Sequence, residues 1–305
     1  MCLIPDTERS HVAMSEQQIS TAVAVRPENR RWVSDPVPAI TEAAATGETA
    51  AIFADIRQVL GVDVVNLIWR HLATIDGALP WAWGTLRPLY ADGSVISEAT
   101  ALHKALALPP MPAIPAKVFA GLGLHADDLA AIRGVLAAYD HTNAMAAVAL
   151  TALRARLDGQ TPHDSAAAEP APVAATARIG LPKLLDLTDV QAGTAALVTA
   201  LNGFGTRRPG AVLASMYRHL AHWPSYLSFA WLLLAPLDSD GLLATAIEQV
   251  RHAASVRADR LLVRLAASPP PPAHAAAISA AIEPFAGDVI VKMLVICAFL
   301  RRVTA

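Results

Sequence analysis

The chain has 305 residues, 54% of them hydrophobic and 16% charged, with a formal net charge of −2. That length can bury a large core, and the near-neutral charge, without any block of like charges, gives no footprint for a nucleic-acid partner. The two cysteines, Cys2 and Cys297, stand at opposite ends, which excludes a disulfide framework and a dithiol redox pair.

Residues 1–35 are polar and aperiodic and read as a disordered tail in which Met14 could be the start. The charged, Pro5-broken N-terminus is not a signal peptide. Helical spacing then dominates, and alternating Val/Ile/Thr runs are absent, so the expected class is all-α. Helices are predicted near 46–60, 63–75, 79–90, 96–107, 113–122, 126–140 and 143–157, making a first helical unit over 40–157. Asp158–Arg178 is an Ala/Pro/Ser linker. A second unit, 179–305, carries helices near 192–202, 209–222, 225–236, 240–266, 273–283 and 288–302. Pro269–Pro272 is a rigid connection matching Pro109–Pro112. The most apolar runs, Tyr226–Leu237 and Asp288–Leu300, fall short of the ~20 residues that a span needs. A cytoplasmic protein without membrane contact is expected.

Val64–Leu89 and Val212–Leu237 align without a gap at an offset of 148 positions, with eleven identities that include Arg70/Arg218, His71/His219, Trp83/Trp231 and Pro88/Pro236. The pattern reads as a tandem duplication, which places a pocket where the halves meet. The halves differ at Asn66/Ala214, Leu67/Ser215, Ile68/Met216 and Thr74/His222.

The duplicated Arg-His pairs could clamp a carboxylate and move protons. One site rarely needs both copies, so bonding of helix ends or of the interface is the plainer reading. His219 and His222 could share a metal, but no carboxylate stands at matching spacing. In Tyr139-Asp140-His141-Thr142-Asn143 the apolar rhythm breaks. Asn143 reads either as the cap of a following helix or as an amide holding a water or a substrate oxygen. Asp140 and His141 are an alternative acid/base pair. Trp69, Trp81, Trp83, Trp223 and Trp231 read as core. No phosphate loop, GxSxG, cofactor motif or metal motif is present in the sequence, so none of these groups is expected.

The run Gly47–Trp83 resembles the first-lobe signature of the group I, non-stereospecific 2-haloacid dehalogenases. The resemblance is carried by Gly47-Glu48, Asp55-Ile56-Arg57, Leu60, Arg70, Leu72-Ala73-Thr74, Gly77, Leu79-Pro80 and Ala82-Trp83. Arg133, Val135-Leu136, Asn143, Thr151-Ala152-Leu153 and Leu220-Ala221-x-Trp223-Pro224 extend it. It implies an all-helical fold of two fused repeats, related to the alkylhydroperoxidase D-like proteins. It also implies hydrolysis in which an Asp-activated water displaces halide directly, with an Asn placing the water. Carried over residue by residue, that Asn falls on Asn143 and the preceding Ser on Ser215, while the catalytic Asp falls on Met216. Pocket positions fall on Val64, Leu67 and Ile282.

A thioether cannot accept a proton from water. No Asp or Glu lies between Asp189 and Asp238, so a displaced base would have to be Asp63, Asp140 or Asp288. The expected partner is a small carboxylic acid, with a homodimer as the assembly. Three functions remain open: a hydrolase of carbon–halogen bonds with a displaced base, a family member binding another small apolar or carboxylic acid, and a non-catalytic oligomeric interaction protein.

Overall fold

Small residues set the architecture, because they let one long helix be surrounded. The computed structural model describes residues 36–163, 166–172, 180–206, 210, 212–269 and 271–305. All of them belong to one contact unit, Arg31–Ala305. The expected tail 1–35, Cys2, parts of the 158–178 linker and Pro270 lie outside the described residues. Among those described, the regular structure is helical: α1 Gly47–Leu60, α2 Leu67–Leu72, α3 Ala78–Ala91, α4 Ser94–Lys104, α5 Ala116–Gly121, α6 Ala126–Leu157, α7 Ala192–Gly203, α8 Ser215–Leu220, α9 Pro224–Ser239, α10 Leu242–Leu265, α11 Ala275–Pro284 and α12 Ile290–Val303. A π-helical turn, Phe285–Val289, joins the last two.

Helix α6 is the axis. Its 32 residues run through the position where the sequence suggests a break, and Thr142–Leu150 is buried on every side. A helix buried all round is the core of a larger bundle. Here Ala144, Ala146, Ala147 and Ala149 keep it thin enough for α4, α10 and α12 to pack against it. Its N-terminus is fixed by a capping box, with Asp128 Oδ2 accepting the His125 N–H at 2.9 Å. The other oxygen of Asp128 accepts the Trp223 indole N–H, tying the start of α6 to the start of α9. Asn143 therefore caps nothing, since it sits in mid-helix.

The polar stretch that suggested a break is satisfied laterally. Tyr139 is hydrogen-bonded to His219, Asp140 pairs with Arg301, a His141 ring nitrogen meets the Leu60 carbonyl at 3.2 Å, and Thr142 donates to the Ala138 carbonyl. Partners on three neighbouring helices and one on its own backbone let a polar turn persist inside a buried helix.

The offset of 148 holds for two pairs of helix starts, α2 and α8 at 67 and 215 and α4 and α10 at 94 and 242, while α3 and α9 start at 78 and 224. Both short helices are shorter than the sequence pattern suggests, because the residues before them are extended and pinned by side chains. Glu42 Oε1 accepts the Val65 N–H at 2.8 Å while Glu42 also pairs with Arg57. Asn202 donates to the Val212 carbonyl and accepts the Ala214 N–H at 3.0 Å. The Asn202 carbonyl is bonded in turn by the fully buried Lys292 ammonium at 2.6 Å. Burial pulls the Lys292 pKa down to about 8, against the opposing pull of Asp288 and Asp238.

Not every tryptophan is core. Trp69 and Trp83 are buried edge-to-face, 5.4 Å apart, whereas Trp231, the counterpart of Trp83, is 38% exposed. The described part of the linker is bonded to the helices, with Ala168 N–H donating to Arg260 and Ala171 N–H to Asp92. Gly93, at φ +81°, turns the chain from α3 into α4 under that segment. A Cβ there would lie 2.0 Å from the Ala171 oxygen. Gly93→Ala should therefore lower unfolding free energy by about 2 kcal/mol or more, read by denaturant titration, through left-handed strain plus backbone displacement.

Candidate functional site

Where the two pinned segments face each other they leave a cavity of about 60 Å³. That is room for a few water-sized groups, hence for a ligand of few heavy atoms. One wall is Val62 and Val64 to Ile68 with Arg70, and the opposite wall is Val212 to Met216. Ala138, Tyr139, Thr142 and Asn143 of α6 form the floor, and Leu181, Phe285, Val289, Ile290 and Met293 complete it.

Continuity of α6 explains the floor. Residues 139 and 143 are one turn apart and share a face, as do 138 and 142. Asp140 and His141 point elsewhere. They line a separate cavity of about 240 Å³ with His103, Thr100 and Arg301. The Asp140 carboxylate there is held by Arg301, with His103 Nε2 at 3.5 Å.

Of the residues singled out in the sequence, Asn143, Met216, Ser215, Val64 and Leu67 lie around the first cavity. Ile282 does not: it is fully buried in α11, and Phe285 lines the cavity instead.

None of the three alternative carboxylates lines the cavity. Asp63 is exposed, Asp140 faces away, and Asp288 accepts the Thr206 hydroxyl at 2.9 Å. Among the described residues the cavity wall contains no Asp or Glu.

The polar groups gather at one end. The Asn143 side-chain nitrogen is buried and has no hydrogen-bond partner, a state costly enough to mark a ligand contact in a native fold. The Tyr139 hydroxyl is hydrogen-bonded to His219 Nδ1 at 2.8 Å. Ser215 sets its hydroxyl beside that of Tyr139 without completing a hydrogen bond of full geometry. Burial pushes the Tyr139 phenol up against the opposing pull of Arg70 and Arg218, so it stays protonated. Burial, followed by Arg218, His222 and Arg70, pulls His219 down to about 4, so its imidazole is neutral near pH 7.

The Arg-His pairs also brace the fold. Arg70 Nε donates to the Val65 carbonyl, and Arg218 Nε donates to the Leu185 carbonyl while the same guanidinium pairs with Asp186. His222 Nε2 meets the Lys183 carbonyl at 2.8 Å. Among the described residues no cluster of three or more His, Cys, Asp or Glu side chains could hold a metal. No single helix among them is long and apolar enough to cross a membrane.

The sequence reading missed the Tyr139–His219 contact and the roles of Phe285 and Met293. The four-residue spacing of Tyr139 and Asn143 was the available signal, obscured by treating 139–143 as a turn.

No family model matches the chain, and no curated protein sequence matches it. Similar solved structures exist. A D-2-haloacid dehalogenase mutant in complex with D-2-CPA aligns with TM-score 0.70 at 18% identity, covering 87% of this chain and 94% of that one. A D-2-halacid dehalogenase mutant aligns at 0.68 and 17%, covering 88% and 96%. A complex of D-2-haloacid dehalogenase with L-LA aligns at 0.69 and 18%, covering 87% and 95%. At this identity the likeness is one of fold, and the chain has the helical fold of these dehalogenases.

Two outcomes follow from the site. His219 is proton-free in the folded state down to about pH 4, while its unfolded form binds a proton below about 6.5. Stability therefore falls as pH drops from 6.5 toward 4, by up to about 3 kcal/mol from this group. His219→Gln, which still offers Tyr139 an acceptor, should flatten that limb in unfolding curves taken at pH 7 and pH 4.5. Asn143→Leu removes an unsatisfied buried donor. It should leave unfolding free energy within about 1 kcal/mol of the parent or raise it, whereas a satisfied asparagine would cost more.

Proposed function

We propose that the chain is a group I 2-haloacid dehalogenase-like protein, built as a tandem duplication, that keeps the ligand cavity of that fold without its water-activating carboxylate. The observation that carries this reading is the shared cavity of Asn143, Ser215 and Met216 with no Asp or Glu in its wall among the described residues. Met216 is 1% exposed and occupies the position assigned to the base.

In the reaction that the resemblance implies, water attacks a carbon bearing halide and must lose a proton as it does so. General-base assistance is worth about 10²–10⁴-fold in such a step. A methionine sulfur gives none, while Asn143 still offers a donor for a ligand oxygen. The walls contributed by Val64, Leu67, Ile68, Met216 and Met293 suit a short apolar body. The cavity thus fits a small carboxylic acid better than it fits hydrolysis of one. Phe285 takes the pocket position first sought at Ile282.

The purified chain should release halide from D- and L-2-chloropropionate no faster than buffer, while the ligand raises its thermal midpoint. Halide release at enzymatic rates would overturn the reading. Met216→Asp should cost about 1–3 kcal/mol of stability, because it buries a carboxylate among apolar groups. It should also bring measurable halide release that Asn143→Ala removes. A folded Met216→Asp that releases nothing would show that this position alone does not restore the chemistry.

A further inference from the structure

Among the described residues, three charged side chains grip the turn by which the chain leaves α7. The Asn202 carbonyl belongs to the last turn of that helix, where carbonyls lack the N–H partner that a helix interior supplies. It accepts instead from the buried Lys292 ammonium at 2.6 Å, a charge-assisted bond at the negative end of the helix. The Gly205 N–H donates to Asp238 of α9 at 2.8 Å, and the Thr206 hydroxyl donates to Asp288 of the π turn at 2.9 Å. From this held turn the Asn202 side chain reaches the cavity wall. Its amide donates to the Val212 carbonyl at 2.9 Å, and its oxygen accepts the Ala214 N–H at 3.0 Å. Ser215 and Met216 follow directly. On the other side of the lysine, Ile290 and Met293 of α12 line the cavity, while Lys292 between them does not. One chain of hydrogen bonds therefore runs behind the cavity, from the α12 side to the wall of Ser215 and Met216. The residues 148 positions before Asn202 and Lys292 are Ala54 and Ala144, whose side chains can make no such link.

We propose that Lys292 is a positioning residue of the ligand cavity: its ammonium fixes the last turn of α7, and Asn202 transmits that position to the wall that presents Ser215 and Met216. The inference rests on the reading of this cavity as the ligand site. It adds a residue that touches no ligand and yet governs affinity. In a cavity of about 60 Å³ a small movement of one wall removes contacts from much of the ligand surface. Without the ammonium, the Asn202 carbonyl loses its bond in a buried place, and the last turn of α7 is free to fray. The bonds to Val212 and Ala214 then lose their fixed origin. The ligand itself has to order the wall, which weakens binding. The opposite wall is held at Val65 by Glu42, which takes no part in this chain and so provides an internal reference.

The test is Lys292→Met in the full chain, which keeps much of the side-chain length and removes the donor. Amide hydrogen exchange is followed residue by residue, and 2-chloropropionate binding by calorimetry. Exchange at the Ala214 N–H should quicken by about tenfold or more relative to the Val65 N–H, and affinity should weaken by about tenfold or more. Gly93→Ala, which destabilises the protein away from the cavity, should leave that exchange ratio unchanged and affinity within about twofold of the parent. A lysine that served stability alone would make the two variants alike. Unchanged relative exchange at Ala214 in Lys292→Met, or an affinity loss that Gly93→Ala shares, would overturn the proposal. Should Lys292→Met not fold, the parent protein decides. There the N–H of Phe204, bonded to the Leu201 carbonyl at the end of α7, and that of Ala214 should open as one unit, with protection equal within about fivefold. A larger difference would overturn the link. Absence of 2-chloropropionate binding in the parent would overturn the ligand-site reading, while the exchange comparison still decides whether Lys292 holds the wall.

Discussion

Helix α6 has neighbours on every side through Thr142–Leu150, and a helix in that position can carry only small or fully satisfied side chains. Alanines meet the first condition. The polar turn at Tyr139–Thr142 meets the second by finding partners on α8, on α12, at the end of α1 and on its own backbone. Asn143 departs from it inside the cavity. Its amide nitrogen is buried on the same axis with nothing to bond. Asp140 Oδ1 and Arg156 Nε on the same helix also have no hydrogen-bond partner, but neither lines this cavity.

The cavity around Asn143 exists because two extended segments stop short of the axis. Glu42 holds one of them at Val65, and Asn202 holds the other at Val212 and Ala214. These pins are chemically different, a carboxylate with Arg57 on one side and an amide with a buried lysine on the other, yet they act on matching stretches, since Val65 aligns with Leu213, between Val212 and Ala214. The two walls then differ in what they present. Leu67 and Ile68 on one side answer Ser215 and Met216 on the other. Neither wall brings a carboxylate, and His219 behind Tyr139 is held neutral first by burial and then by Arg218, His222 and Arg70.

Much of this was legible in the sequence. The all-α class followed from helical spacing, and the helices begin close to the predicted positions. Asn143, Ser215, Met216, Val64 and Leu67 could be named together before any coordinates, because the resemblance to the group I 2-haloacid dehalogenases points to those positions. Three features were not legible. The continuity of α6 was hidden by a run of polar residues whose partners lie 80 or more positions away in sequence, as His219 and Arg301 do. Phe285 rather than Ile282 lines the cavity, and the resemblance that pointed to Ile282 carries no information on which way that helix turns its side chains. The exposure of Trp231, against the burial of Trp83, depends on what packs over each indole rather than on the residue type they share.

The most direct test of the central claim is a crystal structure of the chain with D-2-chloropropionate. The account predicts the intact ligand between Asn143 and Met216, its carboxylate within hydrogen-bond distance of the Asn143 amide nitrogen, and no Asp or Glu oxygen within reach of the carbon bearing chlorine. A ligand bound elsewhere, or one in this cavity with an Asp or Glu poised behind that carbon, would contradict it.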